Sequence, residues 1–178
     1  LARAWLDAKE SLEAIGPALD FATANNISLA KSADIATNVT SQFGKEVEDL
    51  ESVMDVLTAT AATSNTDILQ LSEAMKFAGP TAKALNIPIE EMSATIGVLG
   101  NNGLQGSLAT RALWTSLTRL TKPTTEMSDV MNRLWLDFFN AQGEFIWLNE
   151  TIGELEKGFA WLTPEQELAA LTTLFGAE

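Results

Sequence analysis

Three groups of residues in this chain are of types that could do chemistry. The first is the loop 100–107 (GNNGLQGS), where Gly100, Gly103 and Gly106 fall at three-residue steps, the look of a backbone cradle for phosphate. A phosphate loop closes on Gly-Lys-Ser/Thr, and here Gly106 is followed by Ser107 and Leu108. The glycines are therefore expected to build a helix connection: Gly100 ends one helix in left-handed geometry, Asn101 and Asn102 turn, and Ser107 caps the next helix. The second group is Asp137, Asn140 and Glu144 around Gly143, side-chain oxygens of the kind that ligate calcium. Their spacing is not that of an EF-hand loop and Phe139 occupies a would-be ligand position, which leaves an ordinary polar turn. The third is the plentiful acidic pairs, which formally permit a two-carboxylate glycosidase. With no tyrosine and no aromatic-lined acidic cleft evident, that chemistry has little support.

The chain contains neither histidine nor cysteine. That eliminates Ser-His-Asp and Cys-His catalysis, HExxH zinc sites, thiolate metal sites and disulfides together. A Ser-Lys hydrolase needs an SxxK-like motif and none occurs; Ser32 directly follows Lys31 inside a predicted helix. No catalytic residue, cofactor-binding residue or metal ligand is assigned, and the chain is read as a non-enzyme.

The elements that position these groups are helices. A chain of 178 residues with 46% hydrophobic content and five prolines fits one domain, or a main domain with a small appendage, built on a real core. Leu29, Ala33, Ala36, Val39 and Phe43 follow a three-and-four rhythm, as do Val47, Leu50, Met54, Leu57 and Ala61. Ile68, Leu71, Met75 and Ala78 make a third stripe, Ile89, Met92, Ile96 and Leu99 a fourth, and Ala109, Ala112, Leu113, Ser116, Leu117 and Leu120 a fifth. Gly79-Pro80 is expected to end the third helix, Pro88 to start the fourth, and Thr163, Pro164 and Gln166 to cap a last helix that stops at Gly176. The segment 136–147 (LDFFNAQGEFIW) breaks the rhythm and predicts a short β-hairpin, with 136–140 paired antiparallel to 144–148. The fold expected is all-α, a compact orthogonal or antiparallel bundle with that small hairpin near its C-terminal end. Residues 1–123 would form the helical core, and residues 124–178 a helix, the hairpin and C-terminal helices packed on it.

Net charge of −13 argues against binding nucleic acid through its phosphates, because the eleven basic residues are scattered. No apolar run approaches the roughly 18 to 20 residues that span a bilayer. Leu1 in place of an initiating methionine fits a piece of a longer polypeptide. Among the five tryptophans, Trp114 lies at the edge of its stripe and is expected at the rim of the core or against a partner, while Trp135 and Trp147 flank the hairpin and are expected to pair across it or cap its packing. A faint echo relates 25–36 (NNISLAKSADIA) to 85–96 (LNIPIEEMSATI), each followed by a glycine turn and another amphipathic helix; alone it is too weak to define a solenoid.

Five pieces in order, 72–80 (SEAMKFAGP), 82–85 (AKAL), 90–99 (EEMSATIGVL), 100–107 (GNNGLQGS) and 117–123 (LTRLTKP), resemble the folded core region of phage tail tape measure proteins. The resemblance extends more weakly through 17–44, 140–143 (NAQG), 162–165 (LTPE) and 174–176 (LFG), nearly the whole chain. Three positions depart from the family pattern: Trp135 where glycine is usual, Ala141 where aspartate often opens the turn, and Trp147 where proline is common. The resemblance implies a structural module active in tail assembly, tail-length determination and genome ejection. It implies as partners other copies of itself, tail tube subunits, tail tip or baseplate proteins and tail assembly chaperones. It places the protein in the tail tube lumen of the virion, and in the host cytoplasm during assembly. The readings set against it are a helical protein-binding module of a cellular protein and a cell-wall lytic domain.

Overall fold

The computed structural model describes residues 8–176, so Trp5 lies outside the described residues. The helices in chain order are α1 (Ala8–Glu13), α2 (Ile15–Ala24), α3 (Leu29–Gln42), α4 (Leu50–Thr63), α5 (Ile68–Ala84), α6 (Ile89–Asn101), α7 (Ser107–Thr121), α8 (Thr125–Leu134), α9 (Leu148–Phe159) and α10 (Pro164–Phe175). A 3-10 turn, Val47–Asp49, leads into α4. Their apolar stripes converge on one core whose fully buried members include Leu57, Leu71, Met75, Met92, Ile96, Leu117, Leu134, Phe138 and Leu174. Each such side chain is worth about 1.5–3 kcal/mol of transfer free energy, so the stripes hold these short helices together far more than intrinsic propensity does.

Several polar side chains join the helices or cap their ends. Ser32 Oγ donates to the Ala18 carbonyl oxygen at 2.5 Å, joining α3 to α2, and Asn25 Nδ2 donates to Thr58 Oγ1 at 2.9 Å, joining the α2–α3 connection to α4. Asp67 caps α5 through Oδ1, which accepts from the Leu69 and Gln70 amides at 2.8 Å each. Thr163 and Gln166 form the reciprocal cap of α10, and Gly176 follows that helix with φ of 99°.

Three expectations are corrected. First, Gly79-Pro80 does not end its helix: α5 runs through both to Ala84. Proline removes one backbone bond, while Met75, Ala78 and Ala82 are completely buried along the same face and hold the helix on course. Second, Gly100 is not a left-handed terminator but lies inside α6, packed on Thr66; the left-handed residue is Gly103, with φ of 85°. Ser107 is the first residue of α7, preceded by Gly106 with φ of 53°, and its side chain is not the cap.

Third, the β-hairpin is absent. Residues 136–148 contain no strand, only a turn closed by the single antiparallel bridge Phe139–Phe145. Two bonds cross the turn, the Asn140 amide to the Glu144 carbonyl oxygen at 2.8 Å and the Ile146 amide to the Phe138 carbonyl oxygen at 3.0 Å, and the ladder goes no further because its next donor is engaged elsewhere. The Leu136 amide donates to the Met131 carbonyl oxygen at 2.9 Å, closing α8. On the other side Trp147 is already the cap residue of α9, its carbonyl oxygen accepting from the Thr151 amide at 2.8 Å. Leu136, Phe138 and Phe145 are buried against the helices, and this tertiary packing holds the turn in place. The architecture is thus all-α among the described residues.

Candidate functional site

The 100–106 loop is knotted to the connection between α4 and α5. The Asn65 amide donates to Asn101 Oδ1 at 2.7 Å, Gln105 Nε2 donates to the Asn65 carbonyl oxygen, and Gln70 Nε2 donates to Gln105 Oε1 at 3.3 Å. A β-carbon on Gly100 would stand 3.1 Å from Thr66 Cβ, which is why the helices can close up there only over glycine. One on Gly106 would stand 3.5 Å from a carboxylate oxygen of Glu73. An anion brought to the start of α7 would therefore meet a carboxylate beside the helix terminus, the reverse of a phosphate cradle. What the loop does is fix the α4–α5 and α6–α7 connections against each other.

The oxygens of the 137–144 turn serve the turn itself. Asn140 Oδ1 accepts from the amides of Gln142 at 3.0 Å and Glu144 at 2.9 Å, and Asn140 Nδ2 donates to a Glu144 carboxylate oxygen at 2.9 Å. Asp137 is held by the Phe139 amide. Among the described residues no group of acidic side chains converges as metal ligands would, and none of the helices is long and apolar enough to cross a membrane.

Trp114, Trp135 and Trp147 are all exposed, Trp135 at 87%. The aromatic pair across the turn is not Trp135 with Trp147; it is Phe139 with Phe145, edge to face at 5.8 Å between ring centroids. Trp135 ends α8 with φ of 56°, a left-handed conformation costly for a bulky side chain and ordinary for glycine.

Sequence reasoning passed over two side chains that hold the C-terminal part to the core. Arg119 in α7 reaches the last turn of α10, and Glu91 Oε1 in α6 accepts from the Asn149 amide in the first turn of α9 at 3.2 Å. Both lie on predicted helices, but nothing in their local spacing names a partner more than fifty residues away.

The profile of the phage-related minor tail protein family matches residues 1–176. The chain belongs to that family. Among curated proteins, this tail-family chain is 34% identical over 176 residues to the tape measure protein of Pneumococcus phage Dp-1, covering 99% of this chain and 15% of that protein. It is 28% identical over 174 residues to the probable tape measure protein of Escherichia phage P2, covering 95% of this chain and 21% of that protein. The chain thus spans about a fifth or less of the length of these relatives. No solved structure matches it significantly.

Proposed function

We propose that the chain is a folded, non-enzymatic structural module of a tail tape measure protein, working in tail assembly, tail-length determination and genome ejection. The observation that carries this reading is the nearly end-to-end similarity to a protein named as a tape measure, at 34% identity over 99% of the chain. In this reading it occupies the lumen of the tail tube in the virion and the host cytoplasm during assembly. Its partners are other copies of itself, tube subunits, tail tip or baseplate proteins and assembly chaperones. Residues 1–123 act as the core unit with 124–178 packed on it, the Glu91–Asn149 and Arg119–Leu174 bonds supporting that division. Gly100, Gly103 and Gly106 are structural, and Trp114, Trp135 and Trp147, exposed as they are, contact partners.

The module is a compact knob on the tape and not a stretch of linear ruler. A ruler helix advances about 1.5 Å per residue, so deletion shortens the measured length in proportion. Here the helices fold back on one another and bury their stripes mutually, as α5 does on α3, α6 and α7. In-frame deletion of residues 1–178 from the phage gene is expected to derange tail assembly or ejection, scored by electron microscopy of lysates and plaque counts. Viable particles whose tails are shorter by the full helical length of the deleted segment, or viable particles with unaltered tails, would overturn the reading.

A further inference from the structure

The core closes its helices in threes. Helices α2, α3 and α4 pack pairwise on one another, and sixty residues on α5, α6 and α7 do the same, with Leu29 at the start of α3 matched by Ile89 at the start of α6. The two units stack through α3 on α5 and α4 on α6. Apolar stripes packed this way leave the surface: Leu57 in the first unit and Leu71, Met75 and Ile96 in the second are completely buried.

Among the described residues, α9 and α10 form a pair whose facing stripes no third helix covers. Helix α9 carries Leu148, Ile152, Leu155 and Phe159 at steps of four, three and four, a stripe made to be covered along one face. Leu148 is buried, yet Leu155 and Phe159 are only half-buried and Ile152 is 56% exposed. Helix α10, packed on α7 and α8, buries Ala170 and Leu174 and leaves Leu171 half-buried. Between Ile152, Leu155 and Phe159 on one side and Leu162 and Leu171 on the other lies an open hollow of about 510 Å³. From Ile152 to Phe159 the floor runs about 10 Å at 1.5 Å per residue, the distance between side chains at i and i+7 of a helix laid along it. The shape is that of a seat for a third helix, anchored through its i, i+4 and i+7 side chains.

Charge selects which helix. The charged side chains lining the hollow are Glu156 on α9 and Glu167 on α10, one on each wall and both exposed. Residues 134–178 hold eight acidic side chains and one basic, Lys157, which already pairs with Glu154 at 2.7 Å. Arg119, the cation that reaches α10, is taken up by the carbonyls of Thr173 and Leu174. An incoming helix with lysine or arginine on both borders of its apolar stripe brings a cation to each wall, whereas an acidic helix or an anionic lipid surface is repelled. A second copy of this chain, itself at net charge −13, is a poor source of such a helix. We propose that the groove between α9 and α10 docks an amphipathic helix of a separate partner protein, its apolar stripe bordered on both sides by basic residues. This holds whether or not the module belongs to a tape measure.

The test uses a dye-labelled helical peptide of leucine and lysine, with leucine at the i, i+4 and i+7 positions and lysine on either side, titrated with the chain and followed by fluorescence anisotropy. Saturable binding is expected. The double variant Glu156→Lys/Glu167→Lys should weaken it about tenfold and should take up the same peptide made with glutamate in place of lysine. Ile152→Asn, which removes an apolar anchor and leaves the charge alone, should weaken it as well, with an unchanged melting temperature because that side chain is exposed. Glu48→Lys/Glu51→Lys makes the same charge change on exposed carboxylates outside the groove and should leave the affinity as it was. No saturable binding, or equal weakening by the two charge-reversed pairs, would overturn the proposal, the second outcome meaning diffuse attraction to an acidic protein. Binding by this chain that is lost in the full parent polypeptide, or self-association that the peptide reverses, would put flanking sequence or a second copy in the groove and overturn it too. None of these outcomes bears on the tape measure reading, which the gene deletion tests separately.

Discussion

Arg119 in the last turn of α7 donates from Nε to the carbonyl oxygen of Leu174 at 2.9 Å, across fifty-five residues of sequence. A second nitrogen, Nη2, donates to the Thr173 carbonyl oxygen at 2.8 Å. The guanidinium thereby satisfies two of the carbonyls that the end of α10 leaves unpaired and places positive charge at the negative end of that helix. Replacing Arg119 with methionine keeps most of the apolar stem and removes both bonds, so a loss of about 1.5–3 kcal/mol is expected in urea unfolding. Hydrogen exchange should accelerate first in α10. Protection of α10 equal to that of the parent chain would count against the clamp.

Gly158 in α9 lies against Leu134 and Leu136. A β-carbon there would stand 2.6 Å from Leu136 Cδ2 and 3.1 Å from the Leu134 carbonyl oxygen. The second neighbour is backbone and cannot swing aside, so Gly158→Ala is expected to cost about 1–3 kcal/mol despite the better helix propensity of alanine. Gly153 in the same helix has open space around it, and Gly153→Ala should instead stabilise by about 0.5–1 kcal/mol. Melting curves of the two variants that move in the same direction would refute this assignment of close packing.

Trp135 is 87% exposed and has φ of 56°. Little packing is lost when its side chain is removed, and the left-handed backbone is relieved. Trp135→Gly is therefore expected to stabilise the chain by about 1 kcal/mol, and Trp135→Ala to do less, because alanine keeps the β-carbon that the conformation disfavours. The order glycine above alanine in melting temperature is the measurement; the reverse order would mean that the indole contributes packing.

At Gly103, φ is 85° and no atom lies within 4 Å of the β-carbon position. Any loss on substitution there is backbone strain alone. Gly103→Val is expected to cost about 1–3 kcal/mol and Gly103→Asn markedly less, since asparagine tolerates left-handed geometry. Equal melting of the two variants would exclude strain as the cause.

Much of this domain was legible without coordinates. Helical periodicity named the stripes that became the core, because burial of one face every three or four residues leaves a direct trace in composition. The cap formed by Thr163 was readable for the same local reason, its partner Gln166 lying three residues away. The absence of histidine and cysteine narrowed the available chemistry before any atom was placed. The resemblance carried by 72–123 named the family that the profile match then established.

What local sequence could not decide was everything set by neighbours distant in the chain. Pro80 stays inside α5 because buried alanines and Met75 hold that helix to the core, a balance invisible in the dipeptide Gly-Pro. The 136–148 segment has the aromatics of a hairpin, yet Met131 takes the Leu136 amide and Leu148 already begins α9, so pairing stops at the Phe139–Phe145 bridge. Leu29 heads an apolar stripe and is nevertheless open, while Ile89, its counterpart sixty residues on, is closed. Sequence fixes which side chains prefer to leave water; only the packing of one unit on the next determines which of them do, because burial is a property of what stands opposite.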